Sequence, residues 1–185
     1  NYNLLCTISV GDQTHQSNGG ADVMIAKLSA QGDVLWSKSF GSGSSDTDMW
    51  NSWYSLNQKG IVATPDGGIL MSGYGCDGWN SNCMMTIAPG YSVANHNPFI
   101  VKYDQNGTVE RLSTMSGAAA DYLQVMVEVD DHRVLVAGNH FSSTLVAGDF
   151  SVFNSGGSDA WYAVFNHTSW AVSYTHLRAH ETEAY

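Results

Sequence analysis

DVMIAKLSAQGDVLW, Asp22 to Trp36, returns without a gap as NPFIVKYDQNGTVER, Asn97 to Arg111. Ile25 falls on Ile100, Lys27 on Lys102, Gly32 on Gly107 and Val34 on Val109. A third copy opens at DAWYAVFN, Asp159 to Asn166, and then departs from the pattern. The stretches between repeat as well. TPDGGILMSG, Thr64 to Gly73, superposes on VDDHRVLVAG, Val129 to Gly138, so that Asp66 meets Asp131 and Leu70 meets Leu135. At the N-terminus LLCTISVG reads as the end of an earlier unit. Similarity at a fixed order over two half-units marks a repeat architecture.

Each half-unit reads as a hairpin. In VMIAKL-SAQGD-VLWSKSF two runs of β-formers flank a glycine turn, and YDQNG supplies Asn-Gly at the matching place. IVATPDGGILMSG repeats the design, with Pro65 suited to the second position of a turn. STLVAGDFSVFNSGG, Ser143 to Gly157, adds another hairpin. No segment carries a capped 3.6-residue period, so helix is expected to be nearly absent. Four short strands per unit with apolar inner faces and glycine turns predict an all-β, incomplete β-propeller. It would hold two to three blades of four-stranded antiparallel sheet, truncated at both ends. The competing architecture is a β-sandwich with chance likeness between hairpins. Residues 47–60 and 76–96 read as insertions between repeats.

Composition supports this class. Charged residues make up 13% of the 185, and nineteen glycines stand among many Ser, Thr and Asn. A net charge of −10 repels a phosphate backbone, which argues against nucleic-acid binding. No run approaches the ~20 apolar residues of a membrane span. Of the three cysteines, Cys76 and Cys83 in CDGWNSNC could close a short loop disulfide or stay as two free thiols.

Three stretches carry a family likeness: GGADVMIAKLSAQGDVLWSKSFG, ATPDGGILMSGYG and VLVAGNHFSSTLVAGDFSVFNSGGSDAWYAVFN. They resemble the bacterial β-propeller repeats known as SBBP repeats, found in secreted and surface proteins. The likeness covers most of residues 19–166. Val164 in place of the repeat lysine and Arg111 in place of Trp36 depart from it. The resemblance implies a non-catalytic scaffold or binding module, extracellular or at the cell surface. It brings no catalytic residue and no cofactor. A complete ring needs at least four blades, so neighbouring blades are expected to lie outside this chain.

After Ala171 the chain reads VSYTHLRAHETEAY. VSYTHLRAHET resembles one reading frame of a transposon adapter used in DNA library preparation. The expected division is therefore a repeat domain over 1–171 and a non-native tail over 172–185. His176 and His180 have helical metal spacing but no completing ligand pattern, and no metal role is expected of them.

Asp46 and Asp48 could contribute oxygen ligands to calcium, but no EF-hand-type loop surrounds them, and Asp46 has a repeat counterpart in Asp121. A structural turn is the favoured reading of that pair. Trp50, Trp53, Tyr54 and Trp79 lie in the two inserted stretches, where loop aromatics could stack on sugars or anchor a protein partner. A local satellite core is the alternative. His15, His96, His132 and His140 are expected in exposed loops or turns, and Lys27 and Lys102 in structural strand positions. No nucleophile elbow is present. A propeller dedicated to catalysis should gather charged residues at one rim, and the sequence shows no such gathering. The alternative is the propeller portion of a larger secreted enzyme, a hydrolase or quinone-type dehydrogenase, with its catalytic residues elsewhere.

Overall fold

The structure is a computed structural model and describes residues 6–19, 22–43, 60–75 and 83–174. Within these residues the chain is all-β, without helix, in sixteen strands. The first four are β1 (Thr7–Val10), β2 (Gln13–Gln16), β3 (Val23–Leu28) and β4 (Val34–Phe40). Six follow: β5 (Ile61–Ala63), β6 (Ile69–Tyr74), β7 (Met84–Ala88), β8 (Tyr91–Ala94), β9 (Pro98–Tyr103) and β10 (Val109–Thr114). The last six are β11 (Asp121–Asp130), β12 (Arg133–His140), β13 (Thr144–Ala147), β14 (Phe150–Phe153), β15 (Asp159–Asn166) and β16 (Ala171–Tyr174).

Two four-stranded antiparallel sheets have the orders β10-β9-β6-β5 and β11-β12-β15-β16, and four two-stranded ladders accompany them. Both large sheets are meanders with a hairpin, β7–β8 or β13–β14, interposed between the second and third strands. The leading β1–β2 and β3–β4 ladders match the interposed hairpin and the last two strands of such a unit. Register supports the equivalence. Lys27 stands opposite Trp36 and Lys102 opposite Arg111, each beside a bulge at the turn.

This corrects one expectation. The β7–β8 part of residues 76–96 is no insertion but the counterpart of β13–β14: Met85 and Leu145 are both buried, as are Val93 and Val152. A bulge between Thr86 and Ala88 adds a residue that hides the match in sequence. Each hairpin also bridges to the chain leaving the preceding unit, Gly41 to Thr86 and Ser116 to Val146.

The middle sheet is covered on both faces. Met71, Phe99, Val101 and Tyr103 pack with Val23, Ile25, Trp36 and Phe40 of the leading strands. Leu70 and Ile100 point the other way, into a cluster with Leu123, Val136, Trp161, Ala163 and Phe165 of the last sheet. Strand alternation sends successive side chains to opposite faces, so continuous apolar runs such as PFIVKY suit a sheet buried on both sides. Full burial of each large side chain contributes about 1.5–3 kcal/mol.

Strand β16 runs three residues past the boundary expected at 171/172, since Val172, Ser173 and Tyr174 pair with Phe165, Val164 and Ala163. Residues 175–185 of the expected tail, including His176 and His180, lie outside the described residues.

Candidate functional site

The β5–β6, β9–β10, β11–β12 and β15–β16 turns lie at one end of the sheets, and the interposed hairpins lie at the other. At the turn end the first interface between units is closed. Lys27 Nζ reaches across from β3 to donate to the Gly67 carbonyl at 2.7 Å and the Gln105 carbonyl at 3.3 Å. Trp36 Nε1 donates to the same Gln105 carbonyl at 2.9 Å. The indole stacks near Tyr103, ring centroids 6.2 Å apart, and covers Gly107 so tightly that a Cβ there would stand 2.7 Å from it.

At the second interface Arg111 occupies the repeat position of Trp36, and the space is open. A cleft of about 460 Å³ runs between the middle and last sheets, lined by Pro65, Asp66, Lys102, Glu110, Arg111, Asp131, His132, His167 and Thr168. Lys102, equivalent to Lys27, turns back into its own sheet and pairs with Asp66 and with Glu110 at 2.9 Å. Arg111 lies over the Trp170 ring, 5.7 Å from its centroid. On the far wall Thr168 Oγ1 is 3.2 Å from His132 Nδ1, and the His132 and His167 rings are 6.5 Å apart.

The electrostatics follow from these contacts. The Lys102 ammonium, then the Thr64 hydroxyl, hold the Asp66 carboxyl well below the usual carboxylate range. Burial alone would lower Lys102, but its hydrogen bonds to Asp66 and Glu110 outweigh it and the net direction is upward. His167 is buried, and desolvation followed by the Lys102 charge pushes its pKa down. Fixed carboxylates, two cationic side chains and two imidazoles thus face one open cleft. Such a surface can hydrogen-bond polar, hydroxyl-rich or mixed-charge ligands.

Elsewhere the polar residues serve the fold. Asp121 is fully buried and accepts from the Phe141 and Ser142 amides, both at 3.1 Å, and from the Ser142 hydroxyl at 2.6 Å. Asp121, the repeat counterpart of Asp46, opens strand β11 opposite His140 and is not in a turn. His140, expected to be exposed, is fully buried at the end of β12, with Nδ1 3.0 Å from the Ser142 carbonyl. Alternation along β12 puts it on the same face as the buried Val134 and Val136. His15 lies in β2 and contacts Ser37 Oγ at 2.6 Å, whereas His132 is in an exposed turn.

Trp50, Trp53, Tyr54, Trp79, Asp46, Asp48 and Cys76 lie outside the described residues. Cys83 is disulfide-bonded and Cys6 is free and exposed. Among the described residues no group of three His, Cys, Asp or Glu side chains could hold a metal ion, and no helix is long and apolar enough to cross a membrane. The sequence reading missed the cleft and expected no gathering of charge at one rim. The available signal was Arg111, which stands where the repeat has tryptophan. No protein-family model matches the chain, and no curated protein matches it.

Proposed function

We propose that the chain is a run of β-propeller-type repeat units from an exported bacterial protein. It acts as a non-catalytic binding module whose cleft between Arg111 and His132 takes a glycan or a protein segment. The observation that carries the reading is the contrast between two equivalent interfaces, one filled by Trp36 and one left open at Arg111. The stacked meanders and the resemblance to SBBP repeats support the propeller assignment. The mixed charge of the cleft favours neutral or zwitterionic polar ligands over polyanions.

A glycan array with the full chain and three variants tests this. Arg111→Trp, which rebuilds the Trp36 plug, should abolish the signal with the fold intact, and Arg111→Ala should weaken it. A signal that survives Arg111→Trp but falls when Trp50 and Trp53 become alanine places binding on the loops instead. No signal on any glycan removes the carbohydrate half of the proposal. The gathering of carboxylates and imidazoles at one end favours a second reading, the propeller portion of a secreted enzyme, in which the cleft would bind part of a substrate.

A further inference from the structure

The three units allow each face to be compared with its own counterparts. In the two later units, the face toward the preceding unit is buried: Phe99 and Trp161 are 0% and 3% exposed, Tyr103 and Phe165 both 1%. The equivalent positions of the leading unit are Met24 and Leu28, and they are 39% and 55% exposed. The interposed hairpins agree, because Met85 and Leu145 are 0% and 1% exposed while Ile8, at the same position, is 52% exposed.

The opposite face gives the reciprocal result. Leu70 and Ile100 of the middle sheet are fully buried beneath the last sheet. Their counterparts Leu135 and Tyr162 are only half-buried. Val127, opposite Leu135 in the ladder, is 45% exposed, whereas its counterpart Val62 packs against the core. Among the described residues two apolar faces are therefore left without a covering sheet, and the internal interfaces show what covers each: the other face of the same kind of unit.

We propose that a second copy of this chain stacks head to tail on the first, the Ile8, Met24 and Leu28 face of one copy covering the Val127, Leu135 and Tyr162 face of the next. The interface is heterologous, since the two surfaces differ. It closes into a ring where the rotation between units allows and otherwise continues as a short filament. The proposal rests on reading the sheets as equivalent units, but on no ligand of the cleft.

Sedimentation velocity of the full chain across micromolar concentrations tests it. The mass should rise with concentration, and Leu28→Glu or Val127→Glu, each at an exposed site, should be monomeric. An equimolar mixture of the two variants should give a dimer and nothing larger, because each copy supplies one intact face. A monomeric parent chain, association untouched by either substitution, or dimers formed by a single variant alone would each overturn the proposal. Near-UV circular dichroism on every sample separates the two levels. A native spectrum without association defeats only the self-stacking, whereas loss of the native spectrum in the parent chain defeats the unit packing beneath it.

Discussion

Trp36 lies over Gly107 at a distance that leaves no room for a methyl group: a Cβ at that glycine would stand 2.7 Å from the indole Cδ2. The two residues belong to adjacent units, and their contact closes the turn end of the first interface.

Gly107→Ala should therefore be more harmful than Gly32→Ala, although the two glycines are repeat equivalents. Both have positive φ, +77° and +93°, where an L side chain costs roughly 1–2 kcal/mol. Only Gly107 adds a clash, worth about 1–3 kcal/mol more, because nothing lies within 4 Å of a Cβ at Gly32. Chemical denaturation of the two variants measures the difference. Equal losses would mean that Trp36 yields freely.

Trp36→Ala and Arg111→Ala should likewise diverge despite occupying one repeat position. Removing the buried indole and its hydrogen bond should cost about 3–5 kcal/mol. Removing the exposed guanidinium, whose contact is the Trp170 ring, should cost about 0.5–1 kcal/mol. Urea midpoints at constant slope decide this.

Asp121→Ala should destabilise strongly, because the buried Ser142 amide loses its acceptor while the Phe141 amide and the Ser142 hydroxyl keep only 3.4 Å contacts to the Ala120 and Ala119 carbonyls. Each buried donor left unsatisfied costs about 1–3 kcal/mol. Asp121→Asn keeps one carbonyl oxygen for the two amides and should lose less. A loss in Asp121→Asn as large as in Asp121→Ala would show that the charge, not the hydrogen bonding, holds the loop.

The buried His167 predicts a pH effect. Its folded pKa lies below the ordinary 6.5, so the unfolded chain binds its proton more readily. The associated stability is complete above about pH 6.5 and is lost as pH falls through the folded value. Thermal melts from neutral to mildly acidic pH should show that loss in the parent chain and less of it in His167→Gln. Identical pH profiles would remove His167 as the cause.

Much of the fold was legible in the chain because strands and turns are encoded locally. Runs of β-formers announced β3 and β4, the third repeat copy announced β15, and glycine turns announced the hairpins. The β7–β8 hairpin escaped because one bulged residue shifts its alignment against β13–β14. His140 escaped because burial of a polar side chain depends on which strand ends meet in space. The cleft was visible as a single letter, Arg111 for Trp36, but a substitution does not reveal whether the vacated volume collapses or stays open.

The sequence by itself determined the order of the units, the turns of most hairpins and the absence of a helical period, since all of these follow from contacts within a few residues along the chain. Only the tertiary structure decided which interface is sealed, which is open and which faces have no partner. Those outcomes depend on side chains far apart in sequence, Lys27 with Gly67 and Gln105, Lys102 with Asp66 and Glu110. Equivalent lysines choose different partners because one faces turn carbonyls and a packed indole, and the other an open cleft between carboxylates.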